Sequence, residues 1–227
     1  MTISDSPTPR VDTAVLDLDG TLVDSVYAHV LAWRVVFAEV GIDVPGHRIH
    51  RAIGMGGDRL VSELAGEAVE AEHGDELRAR HPEVLDRWFD QITATDGAGE
   101  LLATLEEHGL TVVLASSGAR EQTERLLGLV EGADRLSATV TGSEADSSKP
   151  SGEIIDVALA SVDATTSVVV GDAVWDVEAA RDAGVPCIGL LTGGISEAAL
   201  LAAGARAVHA GPRALAAPLR RTGSLLP

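Results

Sequence analysis

The chain of 227 residues carries 35 acidic and 17 basic side chains, which gives a formal net charge of -18 at pH 7. This charge repels polyanions, so the composition argues against electrostatic binding to nucleic acid or to an anionic membrane. A chain of this length can bury a sizeable core without disulfides, and the single cysteine, Cys187, excludes an internal one. The only lysine among the basic residues is Lys149.

The sequence carries no pattern that directs it to or through a membrane. Residues 1–13 lack the basic segment and the apolar core of a signal peptide. The longest uncharged run near the C-terminus, Ala183–Ser196, is too short and too rich in glycine to span a bilayer. We therefore expect a cytoplasmic protein with no membrane partner, either a monomer or a homodimer.

Short apolar runs recur along the chain, and they are continuous rather than alternating, which is typical of strands buried on both faces. The predicted strands are Thr13–Leu18, Thr111–Ser116, Ala138–Thr141, Ser167–Gly171, Pro186–Leu190 and a shorter run, Ala207–His209. Helical patterns between the later strands cover Ala98–His108, Arg120–Gly128, Gly152–Ala160 and Asp176–Ala183. This alternation predicts an α/β fold with a Rossmann-like, doubly wound parallel sheet.

The interval between the first two predicted strands is far longer than one crossover helix needs. Its segments AHVLAWRVVFAEV and DRLVSELA have apolar residues three and four apart, which indicates helices. We therefore predict a helical cap domain over residues 25–93, inserted into a Rossmann-like core formed by residues 1–24 and 94–227. The segment Thr93–Gly99 would form one of its two hinges.

Side chains that can carry chemistry follow several of the predicted strands. The first strand leads into Asp17 and Asp19, the second ends in Ser116 and is followed by Ser117 and Gly118, a polar loop carries Lys149, and a later strand leads into Asp172 and Asp176. Each feature has an ordinary structural interpretation, since Asp, Ser and Gly form turns and helix caps. Because ligands of a parallel sheet bind at the carboxyl ends of its strands, their combination predicts one site.

In chain order, the motifs DxDGT, a strand ending in Ser, Lys-Pro and GDxxxD resemble the haloacid dehalogenase superfamily. The resemblance spans most of the chain, from Asp17 to about His209. The long insertion after the first motif is similar to the helical cap of the branch that contains phosphoglycolate phosphatases and β-phosphoglucomutases. The resemblance implies a phosphatase that depends on Mg²⁺ and acts on a small phosphorylated metabolite.

The resemblance also implies a role for each residue of these motifs. Asp17 attacks phosphorus and forms an aspartyl-phosphate, and Asp19 acts as the general acid and base. Ser116 holds one phosphoryl oxygen, and Lys149 neutralises charge on Asp17 and on the phosphoryl group. The other implied ligands of the substrate at these motifs are Thr21, Ser117 and Gly118.

The carboxylates themselves predict a cation, because several in one pocket repel each other strongly unless positive charge lies among them. Mg²⁺ prefers hard oxygen ligands of this kind. By resemblance it lies between Asp17, Asp172 and the backbone carbonyl of Asp19. Asp176 is a further ligand, either directly or through water.

Two other chemistries of the superfamily do not fit the sequence. Its dehalogenases lack an acid two residues after the nucleophile, whereas Asp19 is present here. Its phosphonoacetaldehyde hydrolases use a lysine in the cap, and residues 25–93 contain none. A phosphomutase similar to β-phosphoglucomutase stays open as the alternative, because the segment AHVLAW, which contains His29, resembles the cap entrance of that group. Arg51 and Arg59 could partly compensate for the cap lysine and arginine of those mutases, which are absent here. A catalytically inactive binding module is the remaining alternative.

Three features of the predicted cap have two interpretations each. His29 either packs at the interface with the core or contacts the substrate, and Arg51 is a candidate ligand for a substrate anion. The segment Gly54–Gly57 either forms a turn between helices or lets the backbone approach a ligand closely. The tryptophans Trp33, Trp88 and Trp175 are expected to be packing residues.

Overall fold

The computed structural model describes residues 11–144 and 149–226. Most of residues 1–13, which were predicted not to form a signal peptide, lies outside the described residues. The strands are β1 (Thr13–Leu16), β2 (Val23–Asp24), β3 (Thr93–Ala94), β4 (Thr111–Ser116), β5 (Ala138–Thr141), β6 (Ser167–Gly171), β7 (Cys187–Leu190) and β8 (Ala207–His209). The α-helices are α1 (Val26–Glu39), α2 (Gly46–Ala52), α3 (Gly57–Ala65), α4 (Glu67–Leu85), α5 (Ala98–Glu107), α6 (Arg120–Leu127), α7 (Glu153–Ala160), α8 (Val174–Asp182), α9 (Glu197–Ala203) and α10 (Pro212–Thr222). Within these described ranges, no helix combines the length and the apolar character needed to cross a bilayer.

Six strands form one parallel sheet in the order β5-β4-β1-β6-β7-β8. The central strand β1 pairs along its whole length with β4 on one side and with β6 on the other. The chain leaves β1 towards β4 and leaves β6 towards β7, so the connections diverge between these two neighbours. This divergence creates the crevice in which doubly wound sheets bind their ligands.

Alternate residues of β1 face two separate hydrophobic clusters, one on each side of the sheet. Ala14 and Leu16 belong to the cluster that includes residues of α5 and α10. Val15 belongs to the cluster that includes residues of α7 and α8. Because both faces are covered, the strand needs apolar side chains at every position. The predicted α/β, Rossmann-like fold is confirmed.

Several element bounds differ from those predicted, for local reasons. β1 ends at Leu16 rather than Leu18, because the Leu18 carbonyl accepts hydrogen bonds from the next turn of the chain instead of from a neighbouring strand. β7 begins at Cys187, since Pro186 has no N–H to give to a ladder. The helices α9 and α10 were not predicted. In α10, Pro218 lies inside the helix, and a proline at such a position in a sequence predicts that a helix ends or kinks there.

The helices α1 to α4 lie between the two short strands β2 and β3. These strands pair antiparallel, with Val23 opposite Ala94 and Asp24 opposite Thr93, so the chain leaves and returns at one place. Within this segment α4 packs against both α1 and α3. The predicted bounds of the cap, residues 25 and 93, fall at this paired crossing, and the division into two domains stays a prediction.

Candidate active site

The carboxyl ends of the central strands bring together side chains that are distant in the sequence. Asp17 follows β1, Ser116 ends β4, and Asp172 follows β6. Lys149 reaches the same place from the segment after β5, and its Nζ lies 2.5 Å from Asp17 Oδ1 and 2.7 Å from Asp176 Oδ1. The sheet thus gathers the motif residues into one cluster, as the sequence predicted.

Lys149 is almost completely buried and donates hydrogen bonds to two carboxylates and to the backbone carbonyl of Ala115, 3.4 Å away. Burial acts to lower the pKa of Lys149, but the charges of Asp17 and Asp176 outweigh it and raise the pKa above its usual range. A buried ammonium group is tolerated only when it is compensated in this way. Lys149 therefore holds a fixed positive charge beside Asp17.

One cation is not enough for the acidic groups of this cluster. Asp17, Asp172 and Asp176 are buried, and one carboxylate oxygen from each lies within 4.8 Å of the others. Burial raises the pKa of Asp17 to about 7 despite Lys149, and the carboxylates of Asp176 and Asp19 add to the effect. Burial, followed by Asp176 and Asp17, also raises the pKa of Asp172 well above its usual range. An oxygen-only site with this excess of negative charge fits a divalent cation.

Asp172 is held by a close approach of the backbone and by one hydroxyl. A Cβ atom on Gly20 would lie 2.4 Å from Asp172 Oδ2, and one on Gly193 would lie 1.7 Å from it, so both positions require glycine. Thr21 Oγ1 donates to Asp172 Oδ1 at 3.0 Å. Thr21 was predicted to contact the substrate, but its side chain is fully buried and supports the acidic cluster instead.

Asp19 lies beside this cluster and is held from the opposite direction. Its Oδ1 accepts a hydrogen bond from Ser25 Oγ at 2.5 Å and lies 2.9 Å from His29 Nε2. Burial acts to raise the pKa of Asp19, but the charge and hydrogen bond of His29, together with Ser25, lower it overall. His29 therefore contacts Asp19 directly, a role that neither interpretation of this histidine included.

Polar groups of the loop after β4 are held by hydrogen bonds within the loop and to neighbouring segments. Ser116 Oγ accepts hydrogen bonds from the amide of Gly118 at 3.2 Å and from Thr123 Oγ1 at 3.3 Å, which orients the serine hydroxyl. Ser117 donates from Oγ to the Gly54 carbonyl at 3.3 Å and so connects this loop to the segment between α2 and α3. Because α6 begins at Arg120, the loop also contains the N-terminal end of a helix, where amides favour an anion.

A cavity of about 200 Å³ lies between these loops and the helices α1 to α4. Its lining includes, from the loops at the strand ends, Asp17, Asp19, Ser117, Gly118 and Ala119. The opposite wall includes His29, Trp33, Ile53, Gly54, Met55, Gly57, Leu60, Arg78, His81 and Pro82. The cavity therefore has a polar wall and a largely apolar wall, and it is large enough for a small molecule only.

Arg51 does not line this cavity, contrary to its prediction as a ligand for a substrate anion. Ile49 and Ala52 form the buried face of α2, and this leaves Arg51 exposed. Its backbone carbonyl accepts a hydrogen bond from Trp175 Nε1 at 2.7 Å. The basic side chain that does line the cavity is Arg78 on α4.

Arg78 and His81 were missed by the sequence analysis. They are three residues apart on α4, so they share one helix face, and this spacing is the signal that could have found them. Arg78 is paired through NH1 with Glu70 Oε1 at 2.6 Å and through NH2 with Asp75 Oδ1 at 2.7 Å. His81 is buried and contacts His29.

The glycine segment between α2 and α3 forms a turn between these helices, which is one of the two interpretations considered for it. Gly54 has φ of 100°, and a Cβ there would lie 2.9 Å from the Cβ of Ala173, so the backbone approaches the sheet side of the molecule closely. Gly57 lines the cavity. Of the tryptophans predicted to pack, Trp33 is buried and also lines the cavity.

Comparisons with known proteins agree with the fold and identify the family. Residues 11–184 match the haloacid dehalogenase-like hydrolase family. A phosphoglycolate phosphatase from Caulobacter vibrioides is 30% identical over 181 residues, which cover 77% of this chain and 76% of that protein. The crystal structure of a hydrolase from Pseudomonas syringae superposes with a TM-score of 0.86 at 33% identity, covering 92% of this chain and 98% of the other. A β-phosphoglucomutase from Clostridium difficile shares the fold, with a TM-score of 0.77 at 18% identity over 89% of this chain and 92% of its own.

The parallel sheet and the acidic cluster at its divergence point define an α/β protein with a Rossmann-like core and a carboxylate-rich site at the carboxyl ends of its strands. The chain belongs to the haloacid dehalogenase-like hydrolase family, as its motifs implied. The predicted enzyme class, a hydrolase, is confirmed by the family, and several of its relatives are phosphatases by name.

Proposed function

We propose that this chain is a Mg²⁺-dependent phosphatase that hydrolyses small phosphorylated metabolites through an aspartyl-phosphate on Asp17. One observation carries the proposal. The carboxylate of Asp17 is buried between Lys149 and the acidic cluster, yet it lines a cavity of about 200 Å³. A nucleophile held in this way is shielded from bulk water and accessible only to a small substrate.

The metal site of the proposal consists of Asp17, Asp172 and Asp176, with the backbone carbonyl of Asp19 as a further oxygen ligand. When bound, Mg²⁺ supplies positive charge that stabilises the phosphoryl group during transfer. The buried excess of carboxylates supports this choice, because the site has no other compensation than Lys149 among the described residues that contact it. Thr21 orients Asp172 within this set.

In the first proposed step, the carboxylate of Asp17 attacks phosphorus, and the bond between phosphorus and the ester oxygen breaks. Asp19 gives its proton to the leaving oxygen, so an alcohol departs rather than an alkoxide. Lys149 offsets the repulsion between the anionic carboxylate and the anionic phosphoryl group. Ser116 and the amide of Ser117 bind the phosphoryl oxygens, and the amide of Gly118 orients Ser116.

In the second step, a water molecule attacks the phosphorus of the aspartyl-phosphate while Asp19 takes its proton. The bond between phosphorus and Asp17 breaks, and inorganic phosphate leaves. The lowered pKa of Asp19 keeps its carboxyl group ionised, so the group is able to accept this proton. A phosphoryl dianion beside Asp19 acts in the opposite direction by like-charge repulsion, which helps the carboxyl group to carry a proton in the first step.

The apolar wall of the cavity supports a phosphatase over the phosphomutase alternative. A mutase must bind a second phosphate, whereas Arg78 is the only arginine, and no lysine is present, among the described residues that line this cavity. Its guanidinium is already paired with Glu70 and Asp75. The wall therefore favours a substrate with one phosphoryl group.

The test is hydrolysis of p-nitrophenyl phosphate with Mg²⁺, with EDTA, and by the variant Asp17→Asn. We expect the wild-type protein to hydrolyse the ester with Mg²⁺, and we expect no hydrolysis with EDTA or by Asp17→Asn. Asp43→Asn, which removes an exposed carboxylate, is the matched control and should keep the wild-type activity. Activity that survives both EDTA and Asp17→Asn would contradict the proposed mechanism. Conversion of a phospho-sugar into its isomer, dependent on a bisphosphate, would instead support the mutase.

A further inference from the structure

Two buried histidines lie behind Asp19, and the second of them has no part in the proposed reaction steps. His29, on α1, and His81, on α4, are 8% and 6% exposed. Their nitrogens Nδ1 and Nε2 are 3.3 Å apart, and their ring planes lie within 10° of each other. The contact joins residues that are 52 positions apart in the chain, so it depends on the packing of the two helices.

The ring of His81 is fixed by its neighbours. Trp33 stacks on it with a centroid distance of 4.4 Å and an interplanar angle of 26°. Burial, followed by the charge of His29, lowers the pKa of His81 well below its usual range, so this ring is neutral at neutral pH. A neutral imidazole offers one donor and one acceptor, and the contact with His29 uses one of them.

The two contacts of His29 use both nitrogens of its ring. Nε2 faces Asp19 Oδ1 at 2.9 Å, and Nδ1 faces His81 at 3.3 Å. The bond between Nδ1 and His81 Nε2 holds the His29 ring in place whichever of these two nitrogens carries the proton. The His81 contact therefore fixes the orientation in which Nε2 of His29 faces Asp19.

Asp19 is consequently held at one oxygen by two donors, His29 and Ser25. We propose that His81 is a positioning residue, which acts through His29 to hold the Asp19 carboxyl group in the orientation that protonates the leaving oxygen of the substrate. This inference rests on the proposed function, in which Asp19 transfers that proton. The proton comes from Asp19 and goes to the ester oxygen, so the two imidazoles neither gain nor lose one.

The inference predicts a dependence on the leaving group. An alkyl ester such as glycerol phosphate releases a strongly basic oxygen, which needs the proton of Asp19 as the bond breaks. p-Nitrophenyl phosphate releases a weakly basic phenolate, which needs the proton much less. Loss of the His81 contact therefore lowers kcat/KM more for the alkyl ester than for the aryl ester. Because kcat/KM reports the steps up to formation of the phosphoenzyme, it isolates this proton transfer.

The experiment compares two substitutions that separate hydrogen bonding from packing. His81→Phe keeps an aromatic ring against Trp33 but has no polar atom, whereas His81→Gln keeps a donor and an acceptor but has no ring. We expect His81→Phe to lower the ratio of kcat/KM for glycerol phosphate to that for p-nitrophenyl phosphate by about 10-fold. His81→Gln should restore the ratio to within about twofold of the wild-type value. His73→Phe, on the same helix and outside the cavity lining, is the matched control and should leave the ratio unchanged.

Thermal unfolding establishes that each variant is folded, and His81→Met replaces His81→Phe if the latter is not. The proposal is overturned if the apolar variant keeps the wild-type ratio, or if both esters lose activity equally. It is also overturned if His81→Gln lowers the ratio as far as His81→Phe, because the ring and its packing would then be what matters. A wild-type protein that hydrolyses neither ester would instead contradict the proposed function, so the two failures are distinguishable.

Discussion

The two walls of the cavity differ in how their polar groups are compensated. On the wall formed by the strand ends, Lys149 is bonded to Asp17 and Asp176, and these charges are buried. On the wall formed by α1 to α4, neutral and apolar side chains dominate, and the charge of Arg78 is balanced by its own helix. The first wall has a deficit of positive charge, whereas the second has no such deficit.

This difference indicates that the two walls act on different parts of the substrate. A strong local field acts on whatever phosphoryl group is bound, because every substrate presents the same group to it. An apolar wall acts on the part of the substrate that varies, through shape and through the positioning of Asp19. We therefore expect changes at the residues of the first wall that act on the phosphoryl group, such as Lys149, to affect all esters equally, and changes in the second wall to affect esters differently.

The largest expected effect comes from Lys149→Met. Without the ammonium group, Asp17 repels the substrate, and kcat/KM should fall by about 10³-fold for aryl and alkyl esters alike. The unpaired carboxylates should also lower the free energy of unfolding by about 3 kcal/mol. Steady-state kinetics and urea unfolding measure both effects, and Arg120→Met, at an exposed site, is the control. A loss confined to one ester would contradict the division between the walls.

The next effect concerns pH and the metal. The pKa of Asp17 is raised from 3.8 to about 7 in the absence of a metal ion, so between these pH values the folded protein binds more protons than the unfolded chain. The stability of the metal-free protein should therefore fall as pH rises through this window and level off above it. Because a metal competes with that proton, the rise in Tm on adding Mg²⁺ should be about 3 °C larger at about pH 8 than at about pH 5.5. Differential scanning fluorimetry measures the rise, and an equal or smaller rise at the higher pH would contradict the site.

The smallest effect separates two arginines of the second wall. Arg78→Gln changes the lining of the cavity and should raise KM about threefold for esters whose leaving group carries a negative charge. Arg51→Gln is the matched variant at an exposed position, and it should change KM by less than about 1.5-fold. A panel of phosphorylated metabolites measures both and tests which substrate is used. A larger effect of Arg51→Gln would restore the interpretation of this residue as a substrate ligand.

The sequence was sufficient to predict most of the first wall. Continuous apolar runs predicted the parallel strands, and the carboxyl ends of such strands meet at one edge, so Asp17, Ser116 and Asp172 could be grouped without coordinates. Lys149 could be assigned to this group only through the resemblance of its Lys-Pro motif, because the sequence of a polar loop does not show where the loop lies in the fold. Thr21 was assigned to the substrate because a sequence does not show which hydroxyl will bond to Asp172.

The second wall could not be predicted in the same way. It depends on how α1 packs against α4, which decides that His29 contacts His81 across 52 positions. The pattern of each helix gives its buried face but not the partner of that face. The prediction of Arg51 as a substrate ligand was wrong about the cavity for this reason, and Arg78 was missed, because helix packing decides which of these side chains lines the cavity.

The central claim, a covalent phosphoryl group on Asp17, can be tested by rapid acid quench during turnover of p-nitrophenyl phosphate with Mg²⁺, followed by peptide mass spectrometry. We expect one phosphoryl group on the peptide that contains Asp17, formed within the first turnover and lost when substrate is exhausted. The variant Asp17→Asn should show none. Steady turnover with inversion of configuration at a chiral phosphorus, and with no phosphorylated peptide at any time, would contradict the account.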